Sequence, residues 1–215
     1  YGYDVRLMHE QTGEEVGPGE RGILAIRAPL PPGCMSTVWG DDRRFVETYF
    51  SDFPDKNLYS TFDWGVRRED GRYFIMGRSD DVINVAGHRL GTREIEEAIS
   101  DHPEVAEAAA VGVADEYKGQ VVYAFVVPKD SRRLETQAQR EELDRSVREI
   151  VAQKVGPIAR PAAVYFVEAL PKTRSGKLLR RGIQALAESR DPGDLSTIED
   201  PAALEAVRSA ARNRG

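Results

Sequence analysis

One cysteine, Cys34, stands among 215 residues, so no disulfide can close within the chain. That fits a reducing compartment, and the cytoplasm is the expected location. Histidine is nearly as scarce: His9, His88 and His102 are scattered and Cys34 has no partner at ligand spacing, which argues against a metal centre. Long apolar runs are missing as well. VVYAFVV at 121–127 is far too short to cross a bilayer, and YGYDVRLMHE has neither a basic n-region nor an apolar core, so neither membrane nor export is expected. Positive charge is not in excess. A net charge of −6 does not draw nucleic acid or anionic lipid from a distance, so any anion site must be built locally. No serine or cysteine sits in a G-x-S-x-G elbow, which leaves electrostatic and positional catalysis as the accessible chemistry.

What is present is a soluble globular composition long enough for one large domain or two ordinary ones. The first residues alternate like the middle of a strand and do not begin with Met, so the chain is expected to be cut from a longer one. Residues 3–8 and 22–27 read as a hairpin across HEQTGEEVGPGER. GPGERG at 17–22 fits G-x-G-x-x-G, but Pro18 lies inside it and a strand rather than a helix follows, so it is a turn and not a nucleotide fingerprint. DDRRFVETYF spaces Phe45, Thr48 and Tyr49 as a short helix, and two strands then meet at a turn over Glu69, Asp70 and Gly71.

After Asp80 the grammar changes to alternating strands and helices. GTREIEEAISDHPEV places Ile95, Ala98, Ile99 and His102 on one helical face, with Thr92 as N-cap. Strands are expected at 108–113, 121–127 and 163–167, and a helix over 135–153 with Leu143, Val147, Ile150 and Val151 inward. The fold class is therefore α+β: a small β-rich subdomain over 1–79, then a domain over 80–190 with a three-stranded sheet and helices on one face. Residues 191–215 form a partly helical tail on the surface.

Three groups of residues can carry chemistry. The loop PKTRSGK (171–177) gathers three cations, two hydroxyls and a glycine, yet Pro171 and Leu178 exclude a P-loop. Lys177 reads as a mobile point charge for an anionic reacting centre, or else as part of a solvated basic loop. Asp63, in STFDWG, can accept from the two hydroxyls of a ribose, or simply cap a loop. Arg78, Asp80 and Arg89 flank the change of grammar, where cross-strand ion pairing is the plainer reading.

YSTFDWG, GRSDDVINVAGHRLGTREIEEAI and LPKTRSGKLLRR, in that order, resemble the C-terminal part of the AMP-forming acyl-CoA synthetases of the adenylate-forming superfamily. Within it they look more like the propionyl-CoA branch than the acetyl-CoA branch. The resemblance covers nearly the whole chain. It implies that a short carboxylate and ATP, carried with Mg2+, give an acyl-adenylate, which the CoA thiol then attacks. It further implies that Asp63 and Arg78 serve the ribose, Arg89 contacts phosphate, and Asp80 is a hinge between two half-reactions. Ala86 and Gly87 would line the passage for the CoA arm, and Lys177 would be the adenylation lysine. That lysine would also be a site of reversible acylation, with an acyltransferase and a deacylase as partners. The phosphate loop, adenine pocket and acyl pocket would lie in a missing N-terminal region, leaving this portion inactive alone.

Two positions depart from the family pattern. AQKVGP puts Ala152 where relatives place an arginine for CoA phosphate, which would leave Lys154 or Arg148 to that role, or a weaker contact. TFD puts Phe62 where most relatives have glycine. A non-catalytic binding or regulatory module that kept the fold is the rival from another class. RNA binding through KTRSGKLLRR is disfavoured by the acidic balance and the lack of a stacking pair of aromatics on a strand.

Overall fold

The computed structural model describes residues 2–79, 81–193 and 195–212. Contacts divide the chain into two units, 1–81 and 82–215.

The first unit is an antiparallel four-stranded meander in the order β1-β2-β3-β4. β1 (Asp4–Met8) and β2 (Arg21–Arg27) form the expected hairpin, and β3 (Leu58–Arg67) and β4 (Tyr73–Arg78) form the second pair. Between them runs α1 (Asp42–Tyr49), whose N-cap Asp41 accepts from the Arg44 N–H. Leu7, Ile23, Ala25, Phe45, Phe53, Leu58 and Trp64 are buried.

The second unit corrects the expected three-stranded sheet with helices on one face. Its sheet has five strands in the order β6-β5-β8-β7, with β9 parallel to β8. β5 (Val82–Val85) and β6 (His88–Gly91) make a tight hairpin. β7 (Val105–Asp115) and β8 (Gly119–Pro128) are long central strands, and β9 is Ala163–Phe166. Along β8, Val122, Ala124 and Val126 face one core while Tyr123, Phe125 and Val127 face another. α2 (Thr92–Ser100) and α3 (Gln137–Lys154) cover the first face, and α4 (Arg180–Ala187) and α5 (Pro201–Arg212) cover the second. VVYAFVV is continuously apolar because both faces of that strand are covered.

Smaller corrections follow from pairing. Gly91, not Thr92, is the N-cap of α2, because β6 pairs through Gly91 opposite Val82 and the helix starts on the next residue. His102 lies beyond that helix, its Nδ1 accepting from the Glu104 N–H. α3 opens with a capping box, Thr136 against Gln139. The terminal helix is not superficial as expected: Leu204 and Val207 of α5 are buried in the second core. A side chain with the burial of Ile99 or Val147 contributes about 1.5–3 kcal/mol.

Candidate functional site

Asp63 lies between two irregularities in β3. Against β2, Leu24 pairs with Asp63 while Ala25 pairs with Ser60, so Thr61 and Phe62 bulge out. Against β4, Trp64 pairs with Gly77 and Gly65 with Ile75. Asp63 itself stands opposite Arg78. The bulge is pinned on both sides. Thr61 Oγ1 donates to Leu24 O at 2.9 Å and accepts from the Asp63 N–H, while Ser79 N–H donates to Phe62 O at 2.6 Å. Phe62 sits at φ 61°, a left-handed conformation that costs a residue with a side chain about 1–2 kcal/mol. Its ring packs 5.9 Å from Tyr49, which stacks at 4.7 Å on Tyr59. Burial, and then the adjacent Tyr49, raise the Tyr59 phenol above its ordinary pKa. The Arg78 guanidinium lies 5.7 Å from the centroid of the Phe62 ring. The two ribose candidates are therefore neighbours on paired strands.

In the second unit, Ala86 and Gly87 are the two-residue turn between β5 and β6. Their φ values of 49° and 83° make it the primed type whose twist matches a hairpin. Among the described residues a Cβ on Gly87 would meet nothing within 4 Å, so the tip is open there. The turn is anchored by Ala86 N–H donating to Lys118 O at 2.8 Å, and Asn84 N–H donates to Gln120 Oε1 at 2.7 Å. Asp115 shapes that neighbouring β7–β8 turn, accepting from the N–H groups of Tyr117 and Lys118. Arg89 is exposed on β6, opposite Asn84. Asp80 lies outside the described residues.

The loop carrying Lys177 is a hydrogen-bonded hairpin. Thr173 N–H donates to Lys177 O at 2.8 Å, Lys177 N–H to Thr173 Oγ1 at 3.1 Å, and Leu179 N–H to Pro171 O at 3.0 Å. Gly176, at φ 79°, makes the reversal. A third segment closes on this hairpin: Arg174 N–H donates to Thr197 O and Glu199 N–H to Lys172 O. Local pairing wins because Thr173 supplies both a backbone and a side-chain acceptor. Lys172 pairs with Glu107 at 2.7 Å. The exposed Lys177 ammonium has no hydrogen-bond or ion-pair partner among the described residues.

Just past the hairpin, Arg180 reaches Glu96 of α2 through Nε at 3.0 Å and Nη2 at 2.6 Å. Glu96 Oε1 also accepts from the Ala110 N–H. Sequence reading missed this tie, since nothing local connects residues 84 positions apart. Of the two substitutes considered for CoA phosphate, Arg148 is already held within the fold: its guanidinium binds Asp144 and donates to the carbonyls of Pro161 and Ala162. Lys154 pairs with Asp101 at 2.5 Å. Among the described residues, no helix is long and apolar enough to cross a membrane.

Residues 94–177 match the family described as AMP-binding enzyme C-terminal domain. The chain is 59% identical over 210 residues to propionate–CoA ligase of Escherichia coli K12, covering 98% of this chain and 33% of that protein. It is 44% identical to acetyl-coenzyme A synthetase of Pyrobaculum arsenaticum, covering 97% and 30%. The chain thus spans about a third of the length of these relatives. In fold it resembles the acetoacetyl-CoA synthetase of Streptomyces lividans, with a TM-score of 0.79 and 23% identity over 99% of this chain and 31% of that one.

Proposed function

We propose, from the match of residues 94–177 to the family described as AMP-binding enzyme C-terminal domain, that the chain is the C-terminal portion of an AMP-forming acyl-CoA ligase acting on propionate. The whole protein would join the carboxylate to ATP, release pyrophosphate, and pass the acyl group from AMP to CoA. The observation that carries this reading is the Lys177 ammonium on a hydrogen-bonded hairpin, without a partner among the described residues. Adenylation brings a carboxylate against a triphosphate, and a cation held in place at that point stabilises the charge developing as the new bond forms. A mount that is already ordered loses little freedom when it is brought to bear.

The remaining roles are distributed accordingly. Asp63, acceptor-only when ionised, would take the ribose hydroxyls, with Arg78 beside it. Arg89 would meet phosphate, and the open tip at Ala86 and Gly87 would let the CoA arm pass close to backbone. Asp80 would be the pivot between the half-reactions. The described residues contain no group of three His, Cys, Asp or Glu side chains able to hold a metal ion; magnesium belongs, in this proposal, to the nucleotide phosphates. An exposed amine at Lys177 is also open to acylation, which would remove its charge and switch adenylation off.

The test is Lys177→Ala in the full-length protein. Adenylate formation from propionate and ATP should be lost, while thioester formation from supplied propionyl-adenylate and CoA persists. Equal loss of both half-reactions would overturn the assignment. Pyrophosphate release with acetate, propionate and butyrate tests the acyl preference.

A further inference from the structure

Phe62 is a bulky aromatic residue in backbone space that glycine enters freely, and such strain persists only where the surroundings impose it. Here they do. Ser79 holds its carbonyl, Tyr49 flanks its ring, and the Arg78 guanidinium lies over that ring at 5.7 Å. Arg78 is exposed and stands in register with Asp63. An aromatic face attracts a guanidinium and narrows where it can go. A glycine at this position would keep the turn and lose the face.

We infer that Phe62 is a positioning residue for the nucleotide half-reaction: its ring is a shelf that holds the Arg78 guanidinium beside Asp63 for the ribose. The inference rests on the ribose assignment proposed above. The left-handed backbone at Phe62 is what brings that ring to Arg78, so the strain has a use.

Steady-state adenylation by the full-length protein tests it. Phe62→Leu, which keeps apolar bulk but has no π face, and Phe62→Gly should each raise the KM for ATP about tenfold. The KM for the carboxylate should stay within about twofold, since the ring acts on nucleotide binding alone. Phe62→Tyr and Phe62→Trp retain the aromatic face and should hold the ATP KM within about threefold of wild type. If Phe62→Leu binds ATP as wild type does, or if both KM values rise together, the ring is only packing and the inference falls. Arg78→Ala, measured alongside, separates the two levels. An unchanged ATP KM in that variant overturns the ribose assignment itself, whereas a raised one with Phe62→Leu unaffected overturns only the role of Phe62.

Discussion

Glu96 and Arg180, 84 residues apart, form a two-pronged ion pair of 3.0 and 2.6 Å in which Glu96 also holds the Ala110 N–H at 3.0 Å. The pair is mostly enclosed, with 12% and 29% of the side chains exposed. It fastens the start of α4, immediately after the Lys177 hairpin, to α2 and β7. Removing the acid strands a cation and a backbone donor at once, so Glu96→Ala should lower unfolding stability by about 3 kcal/mol. Glu96→Gln keeps an acceptor for Ala110 and should cost clearly less. Urea melts of the three proteins decide it, and identical midpoints would show the pair to be idle.

The turn at Ala86 and Gly87 makes opposite predictions for adjacent residues. Ala86→Asn puts a residue suited to left-handed backbone at φ 49° and should stabilise by about 0.5 kcal/mol. Gly87→Ala adds a methyl that meets nothing, so its cost of about 1 kcal/mol is purely torsional. Thermal melts that move in the same direction for both would contradict this.

Asp115 gives the neighbouring turn a pH dependence. Hydrogen bonds from the N–H of Lys118, and then of Tyr117, lower its pKa below the usual carboxylate value. A depressed carboxyl contributes stability that is complete above its unfolded pKa and is lost as pH falls through the folded one. Hydrogen exchange at Tyr117 and Lys118, corrected for intrinsic rates, should therefore lose protection as pH falls through that acid range, and Asp115→Asn should weaken protection already at neutral pH. Because Lys118 O receives the Ala86 N–H, that amide should follow.

Arg148 separates structure from ligand binding. Its three nitrogens are engaged by Asp144, Pro161 and Ala162, so Arg148→Ala should cost about 2 kcal/mol of stability. The KM for CoA in the full-length protein should change less than about twofold, because four of the five N–H donors of this side chain are already engaged. A large rise in that KM with unchanged stability would reverse the assignment.

Ser60 is fully buried and its hydroxyl has no hydrogen-bond partner among the described residues. Ser60→Ala should therefore be neutral or stabilising by up to about 1 kcal/mol. A loss of stability on thermal melting would reveal a hidden partner.

Local pattern made much of this molecule readable in advance. Hairpins, the α1 and α3 faces, and the order of the motif segments all follow from alternation, helical spacing and turn residues that act over a few positions. What escaped depends on distance. β6 is four residues long, and His88 and Arg89 are polar, so only its pairing with Val82–Val85 makes it a strand. The second face of the sheet was legible in the unbroken apolar run at 121–127, but that run fits a buried helix segment as well as a doubly covered strand. Phe62 shows the opposite case. Its side chain argues against left-handed backbone, and only register on both sides of β3 imposes it.

The backbone bonds from Arg174 and Glu199 change what kind of object Lys177 is. A charge on a floppy tether would sweep a wide volume and spend most of its time off target. Splinted between two chain segments, it travels only as far as its own four-carbon stem allows. Its local concentration at any partner is then set by where the hairpin stands and not by its own wandering, and displacing the splint should blunt the charge without removing it.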